Sequence, residues 1–127
     1  MPSQVLRKAT LIPIPGSKRA IRKRGRDFIF ELTQEVSKRS EVPMVSGISI
    51  ERRLLDQSGL SAMDRKRNVY GAFAVDKSVQ EISGEILLVD DLVTTGATLL
   101  EAKRALNKSG LSVNQAITAC VAQTSNI

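Results

Sequence analysis

The fold of this chain is decided by one stretch of sequence, Ile86-Leu87-Leu88-Val89-Asp90-Asp91-Leu92-Val93-Thr94-Thr95-Gly96-Ala97-Thr98. Its first four residues form a continuous apolar run, which is typical of a strand buried on both faces of a parallel sheet. Two carboxylates follow at the end of that strand, and hydroxyls, a glycine and the beginning of a helix come directly after them. The stretch therefore predicts a strand, a turn and a helix, with its polar groups gathered in the turn.

The turn between this strand and this helix has the chemistry of a sugar-phosphate site. A helix N-terminus offers unpaired N–H groups and a partial positive charge, which suit a phosphate. Gly96 lets the backbone curl around the anion without a Cβ in the way. The hydroxyls that add donors belong to Thr94, Thr95 and Thr98. Asp90 and Asp91 repel a phosphate but accept hydrogen bonds from sugar hydroxyls beside it, and we expect both acids to lie at the strand end, outside the core. The alternative is a plain strand-turn-helix corner in which the acids are only solvated.

Outward from this stretch, short strands alternate with helices along the chain. We predict strands at residues 11–15, 44–50, 70–75, 86–89 and 113–121. Helices are predicted at residues 26–38, 61–67 and 98–108, with Gly110 ending the last one. The polar segment 51–68 is expected to form a loop or mobile flap around the short second helix. This order predicts a single α/β domain over residues 1–127, in which a mostly parallel central sheet is flanked by helices and binds its ligand at the carboxyl ends of the strands.

Composition narrows the chemistry that this chain can perform. The single cysteine, Cys120, cannot form an internal disulfide, and without histidine neither the usual zinc sets nor the commonest general base can be assembled. No apolar run approaches the roughly 20 residues that cross a bilayer, and residues 1–10 lack the pattern of a signal peptide, so we predict a cytoplasmic protein with no membrane partner. The net charge of +6 suits an anionic ligand, either a phosphorylated small molecule or nucleic acid.

The positive charge is concentrated after the first predicted strand. Residues 18–26 contain six cations: Lys18, Arg19, Arg22, Lys23, Arg24 and Arg26. They can clamp a pyrophosphate, bind nucleic acid without sequence preference, or simply form a solvated face. Specific readout of single strands is not supported, because few aromatic residues are interleaved with them.

Several motifs together resemble the type I phosphoribosyltransferases, and in particular their ComF-type branch, which is associated with competence for DNA uptake. The segment from Asp90 to Thr98 resembles the family's signature for phosphoribosyl pyrophosphate (PRPP). Ile12-Pro13-Ile14-Pro15 with the basic residues after it is similar to the family's first strand and loop, and Gly59-Leu60-Ser61 with Arg65-Lys66-Arg67-Asn68 is similar to its central flap. Relatives commonly carry an N-terminal cysteine-rich zinc module, which we expect this chain to lack, and the hood that selects the acceptor base is expected to be reduced or absent.

The resemblance implies a role for each matched position. Asp90 and Asp91 would bind the ribose hydroxyls as the catalytic pair, and the 5-phosphate would be wrapped by Thr94, Thr95, Gly96, Ala97 and Thr98. The pyrophosphate would be faced by the loop Gly16, Ser17, Lys18 and Arg19, and covered by the flap cations Arg65, Lys66 and Arg67. Magnesium would arrive with PRPP, without direct protein ligands.

The function that the resemblance implies is transfer of phosphoribose to a nitrogen acceptor base, with release of pyrophosphate. The alternative is a non-catalytic accessory protein on the same fold that senses PRPP or binds nucleic acid in DNA uptake or regulation. The resemblance also allows a homodimer.

Overall fold

The computed structural model describes residues 8–52, 54, 59–91, 96–113 and 115–119. The strands are β1 (Ala9–Pro13), β2 (Ile48–Ile50), β3 (Phe73–Val75), β4 (Glu85–Asp91) and β5 (Gln115–Ala119). The helices are α1 (Lys18–Arg24), α2 (Phe28–Ser40), α3 (Ala62–Val69) and α4 (Ala97–Lys108), with a 3-10 helix at Lys77–Glu81. In the ranges that the structure describes, no helix is both long and apolar enough to cross a bilayer.

The central sheet contains β1, β4 and β5 in the order β1-β4-β5, and both pairs of neighbours are parallel. The strand that carries Asp90 and Asp91 is thus the middle strand of the three. Strands β2 and β3 form a separate antiparallel pair. The predicted α/β architecture with a mostly parallel sheet and flanking helices is confirmed.

The strand predicted at residues 44–50 is wrong in extent. Only Met44 bridges to Leu11 of β1, and a strand begins again at Ile48, where it pairs with β3 instead. Between them the chain passes close to the 3-10 helix: a Cβ on Gly47 would lie 1.9 Å from a methyl carbon of Val79. The Gly47 carbonyl also accepts a hydrogen bond from the N–H of Asp76, the residue after β3, at 2.7 Å, so this part of the chain is bonded to the β3 side and not to the parallel sheet.

The two faces of the central sheet bury different sets of side chains. On β4, Leu87 and Val89 pack with Ile29 and other residues of the α2 side, whereas Ile86 and Leu88 pack with α4 and the β2–β3 pair. This alternation is the period-two pattern of a strand that is covered on both faces. It also places Asp90, two residues after Leu88, on the same face as α4.

Helix boundaries follow from local capping. Asp27 accepts a hydrogen bond from the Phe30 N–H at 3.2 Å, so α2 begins at Phe28 rather than at residue 26. Helix α4 ends at Lys108, as predicted, and Gly110 follows its C-cap Ser109 with φ of 88°. The N–H groups of Gly110 and Leu111 donate to the carbonyls of Asn107 and Leu106, both at 3.0 Å, in the pattern of a Schellman motif.

Two further differences concern short elements. The strand predicted at residues 70–75 begins only at Phe73, because Tyr70 and Gly71 form a turn after α3 and Gly71 has φ of 76°. Helix α1 was not predicted, since its seven residues include five cations and show no amphipathic period. The 3-10 helix was not predicted either; Asp76 caps it by accepting from the Lys77 N–H at 2.7 Å.

Candidate functional site

The two segments predicted to bind phosphates begin side by side at one edge of the sheet. Pro13 at the end of β1 is in register with Val89 of β4, and the N–H of Ile14 donates to the Val89 carbonyl at 2.8 Å. Because β1 and β4 are parallel, the chain leaves both strands at the same edge. The basic segment after β1 and the acidic turn after β4 therefore start as neighbours, as expected for a ligand site at the carboxyl ends of parallel strands.

Asp90 is buried at this edge, with 4% of its surface exposed. The hydroxyl of Thr98, in the first turn of α4, donates a hydrogen bond to Oδ2 of Asp90 at 2.8 Å. The expectation that Asp90 lies outside the core is therefore wrong, because α4 returns over the end of β4 and covers its side chain. A buried carboxylate needs such hydrogen-bond donors, since burial without them is costly.

Asp91 is described by its backbone alone. It is the last residue of β4 and is in register with Ala119 of β5. Its side chain lies outside what the structure describes, as do Thr94 and Thr95 entirely. The roles predicted for these three residues stay predictions.

The beginning of α4 has an unusual N-cap. Gly96 occupies this position with φ of 88° and ψ of −8°, in the left-handed region, and it brings no side-chain oxygen to the N–H groups of the first turn. A Cβ on Gly96 would meet no atom of the described residues within 4 Å, and the positive φ is what favours glycine here. Ala97 and Thr98 follow as buried residues of the first turn. The hydroxyl of Thr98 is already committed to Asp90, and its predicted contact with a phosphate stays a prediction.

The pyrophosphate loop is shorter than predicted. Gly16 and Ser17 precede α1, but Lys18 and Arg19 form its first turn, because the Ser17 carbonyl already accepts the N–H of Ile21 at 3.0 Å. The side chains of Lys18 and Arg19 are exposed on this helix. The remaining cations of the basic stretch, Arg22, Lys23, Arg24 and Arg26, are exposed as well.

The flap cations lie on α3, which packs against α4. Ser61 caps α3 by accepting from the Asp64 N–H at 3.2 Å, as the capping-box pattern predicted. Arg65 is half-buried, and Arg67 lies 3.9 Å from the carboxylate of Asp64 on its own helix. Lys66 lines a groove between α3 and α4. The predicted contacts of these cations with a pyrophosphate stay predictions.

Sequence reasoning missed a buried acid on α4. Glu101 is 3% exposed; it accepts a hydrogen bond from the Phe73 N–H at 3.0 Å and pairs with Nε of Arg104 at 2.7 Å. Burial alone would raise the pKa of Glu101, but the hydrogen bonds from Arg104 and from the backbone of Phe73 and Gly71 lower it below its ordinary value. The signal that could have found it is an acid followed three residues later by an arginine on a helix. The Glu101–Arg104 pair links the beginning of β3 to α4, the helix whose N-cap is Gly96.

Comparison with known proteins agrees with this geometry. Competence protein F of Haemophilus influenzae is 34% identical to the chain over 103 residues, which are 80% of the chain and 45% of that protein. The DNA utilization protein YhgH of Salmonella typhi is 38% identical over 69 residues, 54% of the chain and 30% of that protein. Orotate phosphoribosyltransferase of Methanopyrus kandleri is 32% identical over 77 residues, 60% of the chain and 39% of that protein. No family model matches the chain.

The parallel sheet, the acidic strand end and the glycine-started helix define a phosphoribosyltransferase-like α/β domain. More particularly, the chain is similar to competence protein F, and this similarity is consistent with the ComF-type branch that its motifs indicated. It spans less than half the length of the curated relatives reported above.

Proposed function

We propose that this chain binds PRPP at the edge of the sheet where β1 and β4 end, and that it transfers phosphoribose to a nitrogen acceptor with release of pyrophosphate. One observation carries the proposal: Asp90 at the end of the middle strand is hydrogen-bonded to the first turn of a helix whose N-cap has no side chain. The similarity to an orotate phosphoribosyltransferase over 60% of the chain supports the same activity.

The 5-phosphate of PRPP would bind the N–H groups that begin α4. Their partial positive charge favours an anion, and Gly96 supplies no competing oxygen. The ribose hydroxyls would then donate to Asp90 and Asp91, next to the phosphate. Thr98 holds Asp90 in place from the same helix turn, so the carboxylate and the phosphate-binding N–H groups keep a fixed relation.

The pyrophosphate would lie toward α1. Four residues separate the end of β1 from the beginning of this helix, and Lys18 and Arg19 are exposed in its first turn. Cations at this position stabilise the negative charge that builds up on the leaving pyrophosphate as its bond to the anomeric carbon breaks. The nitrogen of the acceptor forms the new bond at that carbon, and the sugar passes through an oxocarbenium-like transition state.

In this proposal magnesium is an ion carried by the substrate. Among the described residues, no three Asp, Glu, Cys or His side chains lie close enough together to hold a metal. The oxygens of the pyrophosphate and ribose would supply its main ligands, and Asp90 and Asp91 would orient the ribose. Bound in this way, the ion supplies positive charge to the leaving group.

The test is calorimetric titration of the protein with PRPP in the presence of magnesium, followed by an assay of pyrophosphate release with a panel of purine and pyrimidine bases. We expect saturable binding and release that depends on one acceptor class. Folded protein that binds no PRPP contradicts the site, and binding without release under any base contradicts the transfer.

A second function is favoured by the names of the relatives, which refer to competence and to DNA utilization. In this alternative the chain has no catalytic activity and either senses PRPP or binds nucleic acid. Nucleic acid would bind to the exposed cations of α1 and to Arg26. Sequence-independent binding would then weaken steeply as salt rises. Replacement of Arg22 and Lys23 by Ala should lower the salt slope by about 2, whereas an unchanged slope rules out this helix as the contact.

A further inference from the structure

The groove between α3 and α4 has a volume of about 230 Å³ and is lined by residues of both helices and of the turn after α3. Its apolar lining comes from Val69, Ala97 and Leu100, and its polar lining from Lys66, Tyr70, Glu101 and Arg104. Pockets that enclose drug-sized ligands start at roughly 300 Å³. A groove of this size therefore encloses one ring system, and the rest of a larger ligand lies outside it.

The aromatic wall of the groove is held firmly although it is exposed. Tyr70 is 70% exposed, and the guanidinium of Arg104 lies 5.5 Å from the centre of its ring. Arg104 is itself fixed by two hydrogen bonds to Glu101, at 2.7 and 2.8 Å. The backbone of Tyr70 is held on both sides, since its N–H donates to the Lys66 carbonyl and its carbonyl accepts from Arg52 at 2.7 Å. The ring is thus a preorganised stacking surface with one cation already on it.

Exposed apolar surface is concentrated at this groove. The large hydrophobic side chains that are exposed in the described part of the chain are Met63, Tyr70 and Leu100. Two of them, Tyr70 and Leu100, line the groove, and Met63 lies on α3, the helix that ends just before Tyr70. The groove is lined by two cations, Lys66 and Arg104, and by one acid, Glu101, which is paired with Arg104, so the charge of Lys66 is in surplus. Apolar and aromatic surface with surplus positive charge favours a flat, negatively charged ligand.

We propose that the groove binds a mononucleotide, with the base stacked on Tyr70 against Leu100 and the phosphate paired with Lys66. This site goes beyond the proposed function: it adjoins the proposed PRPP site through Lys66 and Ala97, whereas its stacking residues Tyr70, Leu100 and Arg104 have no role in binding PRPP. The stacking surface is tolerant of base identity, since every base presents a similar ring face.

The groove contains its own reporter. Tyr70 is the only tyrosine of the chain and there is no tryptophan, so the intrinsic fluorescence of the protein comes mainly from this ring. Titration with adenosine or cytidine monophosphate should quench this fluorescence saturably, whereas ribose 5-phosphate, which has no base, should leave it unchanged. In calorimetry Tyr70→Ala should weaken mononucleotide binding about tenfold or more, and Tyr70→Phe should keep most of the affinity.

Further variants separate this site from the proposed PRPP site. In Asp90→Asn the quenching by mononucleotides should persist while PRPP binding is weakened, and in Tyr70→Ala PRPP binding should persist. If Asp90→Asn abolishes both, the mononucleotide occupies the sugar-phosphate site and the groove assignment is overturned. If PRPP does not bind the wild-type protein but mononucleotides quench its fluorescence, the groove stands and the proposed function fails.

Other occupants of the groove give distinct results. Quenching by a single-stranded oligothymidylate but by no mononucleotide overturns the proposal and assigns the groove to a strand. Concentration-dependent self-association that disappears in Leu100→Ser, without quenching by nucleotides, overturns it in favour of a second copy of the chain. Folded protein whose fluorescence responds to no nucleotide overturns it outright.

Discussion

The first turns of α3 and α4 differ in what accepts hydrogen bonds from their N–H groups. A helix start leaves N–H groups without partners, and at α3 the side chain of Ser61 accepts one of them at 3.2 Å. At α4 the N-cap is Gly96, which has no oxygen to offer, and the nearby hydroxyl of Thr98 is turned to Asp90 instead. Ser61 thus caps α3 from within the chain, whereas no described side chain caps the first turn of α4, where a ligand can supply the acceptor. The predictions below test whether this difference is functional.

The largest expected effect is on the acids beside the open helix start. Asp90→Asn combined with Asp91→Asn should weaken PRPP binding by more than about 100-fold, because each carboxylate accepts charge-assisted hydrogen bonds worth about 1.5–3 kcal/mol. Asp76→Asn is the matched control, since asparagine still caps the 3-10 helix and the site is untouched. Calorimetry measures both, and equal affinities in the two variants would falsify the site.

The hydrogen bond that links Asp90 to α4 should also contribute to stability. Thr98→Val keeps the shape but removes the donor to a buried carboxylate, so we expect the free energy of unfolding to fall by about 2 kcal/mol. Thr98→Ser retains the hydroxyl, so its free energy of unfolding should fall by less. Chemical denaturation compares the three proteins, and a valine variant as stable as the wild type would show that this bond contributes nothing.

The pair that ties α4 to β3 should respond to acid. Because hydrogen bonds hold the pKa of folded Glu101 below its ordinary value of 4.5, its stabilising contribution is complete at neutral pH and is lost as pH falls below that value. At neutral pH the free energy of unfolding of Glu101→Gln should be about 1.5 kcal/mol lower than that of the wild type. This difference should shrink on acidification.

The control for Glu101 is the exposed pair on α2, in which Glu35 lies 2.7 Å from Arg39. Solvent screens such a pair, so Glu35→Gln should change stability little at any pH. If the difference in stability between the wild type and Glu101→Gln is the same at neutral and acid pH, the role assigned to the Glu101 charge is wrong.

A side chain at the N-cap of α4 should strain the backbone there. Gly96→Ala places a Cβ at φ of 88°, which costs about 1 kcal/mol in the left-handed region although no atom lies within 4 Å of it. Gly59→Ala also has open space and lacks the positive φ, so it should be neutral. Thermal unfolding compares the two, and equal midpoints would show that the angle at Gly96 is not restrictive.

The smallest effect is expected where the chain caps its own helix. Ser61→Ala should reduce stability by about 0.5–1 kcal/mol, and Ser61→Asp should restore it. PRPP affinity should not change in either variant, because this cap serves only α3. If Ser61→Ala lowers PRPP affinity and Ser61→Asp does not restore it, the Ser61 cap does not serve α3 alone, and the contrast between the two helix starts is wrong.

Local patterns were enough to predict much of this molecule. The apolar run before Asp90 requires a buried strand, the glycines at 96 and 110 bound the helix that follows, and Ser61 with Asp64 starts α3. Each of these features depends on neighbours within a few residues, which is why the sequence carries them. The relatives confirmed the resemblance in the motifs. It could be found from the sequence because each motif is contiguous.

Only the tertiary structure decided which distant groups meet. Nothing local indicates that Asp90 is buried under the first turn of α4, that residues near Met44 leave the sheet at Gly47, or that Glu101 binds the backbone of Phe73, 28 residues away. The groove of Tyr70, Leu100 and Arg104 likewise exists only because α3 packs on α4. The sequence determines periodicity, caps and turns, since these are short-range properties of the chain. Burial and partnership depend on how helices and strands pack against one another, and no local pattern records that.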